Sequence, residues 1–242
     1  MQILGVRIDN FNLKQVLEKI EGFLADGQQH FIVLPYAEFL VKAQEDEAFK
    51  KKLNQADLCL AEGFGVILGS YFLGQPIQGR IIGVELVEAI VKKFGLNHHI
   101  FFFGAKEGVA REAAAKLERK FNGVKFIETL NGFISDNEAI IKINEAKPEI
   151  LLVGLGMPKQ EKWLAENLLK IPSVKVAAGV GGAFDFISGR VRRAPRIFQK
   201  LGLEWLWRLM IQPGRIKRVF RSIVVFSWLV IKQKFVWSNS CE

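Results

Sequence analysis

The chain is poor in cysteine, histidine, proline and long apolar runs. Two cysteines in 242 residues, Cys59 and Cys241, cannot staple a disulfide scaffold. Cys59 sits in an apolar run and reads as a core residue; Cys241, beside the terminus, reads as an exposed thiol. A reducing compartment fits this usage. The three histidines, His30, His98 and His99, show no metal-ligand spacing with cysteines or carboxylates. No metal and no cofactor is therefore expected. A composition that is 50% hydrophobic and 24% charged excludes a disordered chain, and 22 Gly with 7 Pro exclude a collagen-like one. No run reaches the roughly 20 apolar residues that span a bilayer. The longest, residues 223–231, is broken by Ser227. The opening MQILGVRIDN reads as a strand pattern with Asp9 inside it rather than as a signal peptide.

The common catalytic motifs are also missing. GxxxxGK[ST] does not occur. Gly154-x-Gly156 is followed by Lys159 where a dinucleotide fingerprint needs a third glycine. There is no Asp-x-Asp pair and no GxSxG. Glu45-Asp46-Glu47 lies among lysines in a helical pattern and reads as a solvated face.

What is present is unevenly distributed. The net charge is +9, yet residues 190–242 hold 12 Lys/Arg against two acids, so the first 189 residues are near neutral. The same segment holds Trp205, Trp207, Trp228 and Trp237, four of the five tryptophans. A basic, aromatic tail on a neutral body implies an anionic partner: a membrane surface, nucleic acid or a phosphorylated substrate. Residues 223–231 lack any basic residue, which disfavours nucleic acid. The stretch suits the headgroup zone of a membrane, with Trp and Phe at the boundary.

Apolar strands alternate with amphipathic helices through about residue 190. Strands are predicted near residues 5–9, 30–34, 56–60, 99–103, 124–129, 149–153 and 174–178. Helices are predicted near 13–24, 37–53, 84–94, 106–121 and 159–169, with one following AEGFG to about residue 73 and another starting at Ser135. Ser135 followed by Glu138 is a capping-box pattern. The order argues for a Rossmann-like α/β fold, a parallel sheet with helices on both faces. Residues 196–210 and 215–234 read as two helices, separated by Gln212-Pro213-Gly214. The expected division is thus 1–193 for the α/β domain and 194–242 for a helical, membrane-associating appendage.

Three strands end in glycine: Phe103-Gly104, Val153-Gly154 and Ala178-Gly179. Ligands of open parallel sheets bind beyond the carboxyl ends of strands. Glycine there lets backbone approach a phosphate, and the next helix offers free N–H donors. The alternative is a tight connection with no ligand, but three such ends together favour a nucleotide or sugar-nucleotide site. Candidate contacts are Gly104, Gly154, Gly156, Lys159, Gly179, Gly181, Gly182 and Asp185. Glu62, in AEGFG directly after a strand, is placed to act as a general base, or else to cap a helix. Arg80 lies in a polar loop before Gly83.

The runs GMPKQEKW (156–163), GVGGAFDF (179–186) and RAPRIFQKLGLEWLWRL (193–209) closely resemble the WecG/TagA/CpsF glycosyltransferases. LPYAE (34–38), AEGFG (61–65) and RIIGVEL (80–86) are weaker echoes. The resemblance implies an inverting, metal-independent transferase with a Rossmann-like fold. Such enzymes move N-acetylmannosamine or a related sugar from UDP to polyprenyl-diphosphate-linked N-acetylglucosamine. Their products feed teichoic acid, capsule and related surface polymers. It further implies a peripheral enzyme on the inner face of the cell membrane, capable of self-association. The family's base, an Asp, matches Glu62; its active-site Arg matches Arg80; its Gln matches Gln160. Three arginines of its appendage match Arg208, Arg215 and Arg218. Leu34 and Tyr36 stand where family members often carry Thr and Asn in the active site. These substitutions and the longer Glu62 side chain leave three readings open: the same reaction, a different sugar pair on the same fold, or UDP-sugar binding without turnover.

Overall fold

A computed structural model describes residues 1–124, 127–195, 197–198, 202–211 and 213–239, with the side chains of 208, 215 and 237–239 outside the description. The chain starts as an antiparallel hairpin of β1 (Gln2–Ile3) and β2 (Val6–Arg7). Leu4 and Gly5, at φ 53° and 74°, form the left-handed pair that turns such ribbons tightly. Helix α1 (Leu13–Ala25) follows, opened by a reciprocal cap between Asn12 and Gln15.

Six parallel strands then form the sheet: β3 (His30–Val33), β4 (Leu58–Cys59), β5 (Ile100–Gly104), β6 (Glu128–Leu130), β7 (Ile150–Gly154) and β8 (Val176–Gly179). Their order is β4-β3-β8-β7-β5-β6. Strands β3, β4, β5, β7 and β8 are buried along their whole length, as unbroken apolar runs require. Phe31, Val33, Phe101, Phe103, Leu151 and Val153 point to one core. That core is covered by α2 (Ala37–Glu45), α3 (Glu47–Gln55), α4 (Phe64–Phe72), α7 (Asp136–Ala146) and α8 (Lys159–Asn167). Ile32, Leu34, Phe102, Leu152 and Val176 point to the other. It is covered by α1, α5 (Gly83–Phe94), α6 (Val109–Lys120) and α9 (Ala183–Ser188).

This assignment of helices to faces positions the site. Strand β8 leads into α9 on one face, whereas its neighbours β3 and β7 lead into α2 and α8 on the other. The connections diverge, and a crevice opens beyond the carboxyl ends of the three strands.

The C-terminal segment contains α10 (Glu204–Ile211), a 3₁₀ turn (Pro213–Arg215), α11 (Ile216–Phe220), a π-helical turn (Arg221–Val225) and α12 (Phe226–Asn239). It is fastened to the body. Phe226 and Val230 are buried in the same core as α2 and α3. On α4, Gly65 and Gly69 make room for them: a Cβ at Gly69 would lie 3.2 Å from the Phe226 ring. Gln233 accepts from the Leu4 amide at 2.7 Å, and the Lys234 ammonium donates to the Phe72 carbonyl. Helix α12 therefore shares the body's core although it lies outside the sheet.

Some expectations need correction. The helix expected over 37–53 is two helices meeting at Asp46, whose backbone is extended. The Asp46 carboxylate caps the Phe49 amide at 2.9 Å and pairs with Lys162 at 2.8 Å, so the acidic run is more than a solvated face. Glu45 in the same run pairs with Arg221 at 2.6 Å. The helix expected from 106 begins at Val109, because Ala105 and Gly108 are left-handed. Ser135 caps the Glu138 amide, but the Glu138 carboxylate turns to Lys142, so only half of the capping box forms. Strand β6 is shorter and later than expected, and residues 125–126 of the expected strand lie outside the described residues.

Candidate active site

The crevice is a cavity of about 860 Å³, enough for a nucleotide sugar. Its floor consists of the loops after β3, β4, β7 and β8, and its roof of α4, α10, α11 and α12. Leu34, Tyr36, Glu62, Arg80, Gly156, Gln160, Gly179, Gly181, Gly182 and Arg218 all line it. The structure thus gathers residues spread over about three quarters of the sequence. Gly104, Gly154, Lys159 and Asp185 do not line it. Gly104 and Gly154 have a packing reason to be glycine: a Cβ on Gly104 would lie 2.5 Å from the Gly154 carbonyl carbon, and one on Gly154 would meet Phe184 at 2.8 Å. Lys159 is exposed at the start of α8, and Asp185 is in the first turn of α9. Arg208 lies on α10 and Arg215 ends the 3₁₀ turn, with both side chains outside the described residues.

Glu62 is fixed from both sides. Its amide donates to the Pro35 carbonyl at 3.1 Å, and its Oε1 accepts from the Gly83 amide at 2.8 Å. The carboxylate therefore sits at the N-terminus of α5, whose dipole favours negative charge. The capping and base readings are compatible: Glu62 caps a helix and faces the cavity at once.

Gln160 is almost wholly buried and ties the floor together. Its Oε1 accepts from the amides of Gly156, after β7, and Gly181, after β8, at 3.1 and 3.0 Å. Its Nε2 donates to Glu161 Oε1 at 2.6 Å. Glu161 is fully buried, and its Oε2 has no hydrogen-bond partner. Burial pushes its carboxyl up to about 7, with the nearby Glu62 charge adding, against the ionised-form preference conferred by Gln160. Gly179 packs on this pair, with room for no Cβ.

A second cluster lies where α11 meets α2. Arg218 Nε is 2.7 Å from Glu38 Oε2, and the Tyr36 hydroxyl donates to the same oxygen at 3.2 Å. Burial, with Glu38 and Glu62 near and Arg218 opposing, pushes the Tyr36 phenol well above its usual range and keeps it neutral. Arg193 and Glu204 also line the cavity.

Sequence reasoning missed Glu38, Glu161, Arg193, Glu204 and the α4 glycines. Glu38 and Glu161 were visible within the PYAE and PKQEK runs, and Arg193 opened RAPRIFQK; nothing local marked the partners of any of them. Among the described residues, no group of three or more His, Cys, Asp or Glu is placed to hold a metal ion. Among those residues, too, no helix is long and apolar enough to cross a membrane.

A cavity at the point where strand connections diverge, walled by glycine turns and arginines over a helix-capping carboxylate, defines an α/β protein with a site at the carboxyl ends of its strands. Comparison with known proteins makes this specific. The model of the glycosyl transferase WecG/TagA/CpsF family matches residues 1–240, and the chain belongs to that family of glycosyltransferases. A relative from Staphylococcus aureus strain MRSA252 is 36% identical over 97% of this chain and 93% of its own length. It is named N-acetylglucosaminyldiphosphoundecaprenol N-acetyl-beta-D-mannosaminyltransferase. The protein of the same name from strain NCTC 8325 is 35% identical over the same spans.

Proposed function

We propose that the protein transfers N-acetylmannosamine, or a closely related sugar, from a UDP-sugar to polyprenyl-diphosphate-linked N-acetylglucosamine, with inversion and without a metal. The observation that carries this is the seating of Glu62 at the N-terminus of α5, facing a cavity that arginines also line. The names of the relatives support the acceptor and the sugar. The donor diphosphate sits against Gly179, Gly181 and Gly182, whose backbone allows close approach, and against the arginines of the wall. Glu62 takes the proton of the acceptor hydroxyl while its oxygen attacks the anomeric carbon. The bond from that carbon to the diphosphate oxygen breaks, and UDP leaves with the charge. Arginines and backbone N–H groups stabilise this charge in a site shielded from water. Gln160 acts by positioning, since its amide is committed to the two glycine turns. Leu34 and Tyr36 shape the wall beside Glu62 and bear on the choice of sugar.

The acceptor lipid fits the roof. Leu68, Tyr71 and Phe72 on α4 and Phe220, Trp228 and Phe235 on the C-terminal helices are exposed apolar side chains. Lys232 and Lys234 accompany them, and each basic residue near an anionic surface contributes about 1 kcal/mol. The protein lies on the inner face of the cell membrane, with the cavity open to it. The test is UDP release by the full chain in detergent, with UDP-N-acetylmannosamine, a polyprenyl-diphosphate N-acetylglucosamine and EDTA. Acceptor-dependent release supports the reading; UDP binding without release under any donor or acceptor supports the binding-only alternative.

A further inference from the structure

Two arginines on the cavity wall face a single carboxylate from the roof. Arg80 belongs to the loop before α5, Arg193 to the segment after α9, and Glu204 is the first residue of α10. Glu204 Oε2 is 3.6 Å from Arg80 Nη2, and its Oε1 is 3.8 Å from Arg193 Nε. Charge-assisted hydrogen bonds between such groups are about 2.7–2.9 Å long. Glu204 therefore attracts both guanidinium groups without bonding closely to either. Arg193 Nη2 has a tight partner elsewhere, Glu85 Oε1 at 2.9 Å. All three groups of the bridge are partly buried, with side-chain exposures of 21–29%.

Two guanidinium groups converging on one cavity repel each other and require an anion between them. A carboxylate with two oxygens, stretched between both, serves poorly. A diphosphate brings more oxygens and more charge, and matches the planar fork of arginine. Resting on the UDP-sugar reading above, we propose that Arg193 binds the donor diphosphate together with Arg80, and that Glu204 holds their place until the donor displaces it. Glu85 keeps one edge of Arg193 anchored on α5 while the Nε edge faces the cavity. Displacing Glu204 also frees the start of α10, whose next residue, Trp205, lines the same cavity. Donor binding is thereby coupled to the position of the roof.

The competing explanation is a static staple, in which Glu204 merely fastens α10 to the body. Binding of UDP, inorganic pyrophosphate and uridine to the full chain in detergent, at fixed salt, separates the two. Glu204→Gln is expected to bind UDP and pyrophosphate several-fold more tightly than the wild type. Arg193→Gln is expected to lose about tenfold, the equivalent of about 1.4 kcal/mol. Arg193→Lys keeps the charge and guards against a folding artefact; it should fall between. Uridine, which has no phosphate, should bind all of them alike. Unchanged or weaker UDP binding in Glu204→Gln, or wild-type affinity in Arg193→Gln, overturns the proposal while leaving the donor reading intact. A wild type that binds neither UDP nor pyrophosphate overturns both.

Discussion

Glu38 on α2 and Arg218 on α11 meet at 2.7 Å at the wall of the cavity. They are 180 residues apart in sequence, and the Tyr36 hydroxyl shares the same carboxylate oxygen. The contact fastens the roof to the floor and sets the direction in which Arg218 points. In Glu38→Gln the charge is lost and the shape kept. Stability should fall by about 1 kcal/mol, the magnitude for a partly exposed charge-assisted contact. Trypsin should cut after Lys217 and Arg218 faster than in the wild type. Unaltered proteolysis would mean that the pair does not hold α11 in place.

The contact between α4 and α12 depends on small residues. A side chain at Gly69 would enter the space of Phe226 and Val230. Gly69→Leu should overpack this contact at a cost of about 1–3 kcal/mol and lever α12 outward. Turnover should drop sharply while the far-ultraviolet circular dichroism of the sheet domain stays largely unchanged. Wild-type turnover in this variant would show that the roof need not close.

Glu161 makes a pH-dependent contribution whose sign can be stated. Its folded-state carboxyl is raised from 4.5 to about 7. Between those values the folded state holds a proton that the unfolded state has released, so stability falls as pH rises through the window. Glu161→Gln keeps an acceptor for the Gln160 amide and removes the charge. Its melting temperature relative to wild type should be higher at pH 8 than at pH 5. An equal difference at both values would place the Glu161 titration outside this window.

Membrane docking separates cleanly from ligand binding. Trp228 and Phe235 are 59% and 66% exposed and are not among the residues that line the cavity. The double change Trp228→Asp and Phe235→Asp should abolish sedimentation with vesicles containing anionic lipid. UDP affinity in detergent should remain at the wild-type value. Retained sedimentation would move the docking surface elsewhere on the chain.

Much of this molecule was legible residue by residue. Runs such as His30–Val33 and Ile150–Gly154 announce buried strands, because a strand covered on both faces has no polar alternation to show. The glycines that close β5, β7 and β8 mark the carboxyl end of the sheet, where the cavity lies. Which glycines meet the cavity was not legible, since that depends on strand order: Gly104 and Gly154 press on each other because β5 and β7 are neighbours. The break at Asp46 was hidden because the apolar periodicity of residues 37–53 runs straight through it, and the cause is a cap and a pair with Lys162. Glu62 and Arg80 were singled out by their places after a strand and before Gly83, with the resemblance adding their roles, and Gln160 by resemblance alone. Their partners, Gly83, Glu204 and Gly181, are brought to them only by the fold.

The most direct test of the account is the behaviour of Glu62→Gln. The variant keeps an oxygen for the Gly83 amide and so should fold and bind UDP as the wild type does. Acceptor-dependent UDP release, in detergent with EDTA, is expected to fall by about two to four orders of magnitude, the range for a lost general base. Release at the wild-type rate would remove Glu62 from the chemistry and with it the central claim of the mechanism.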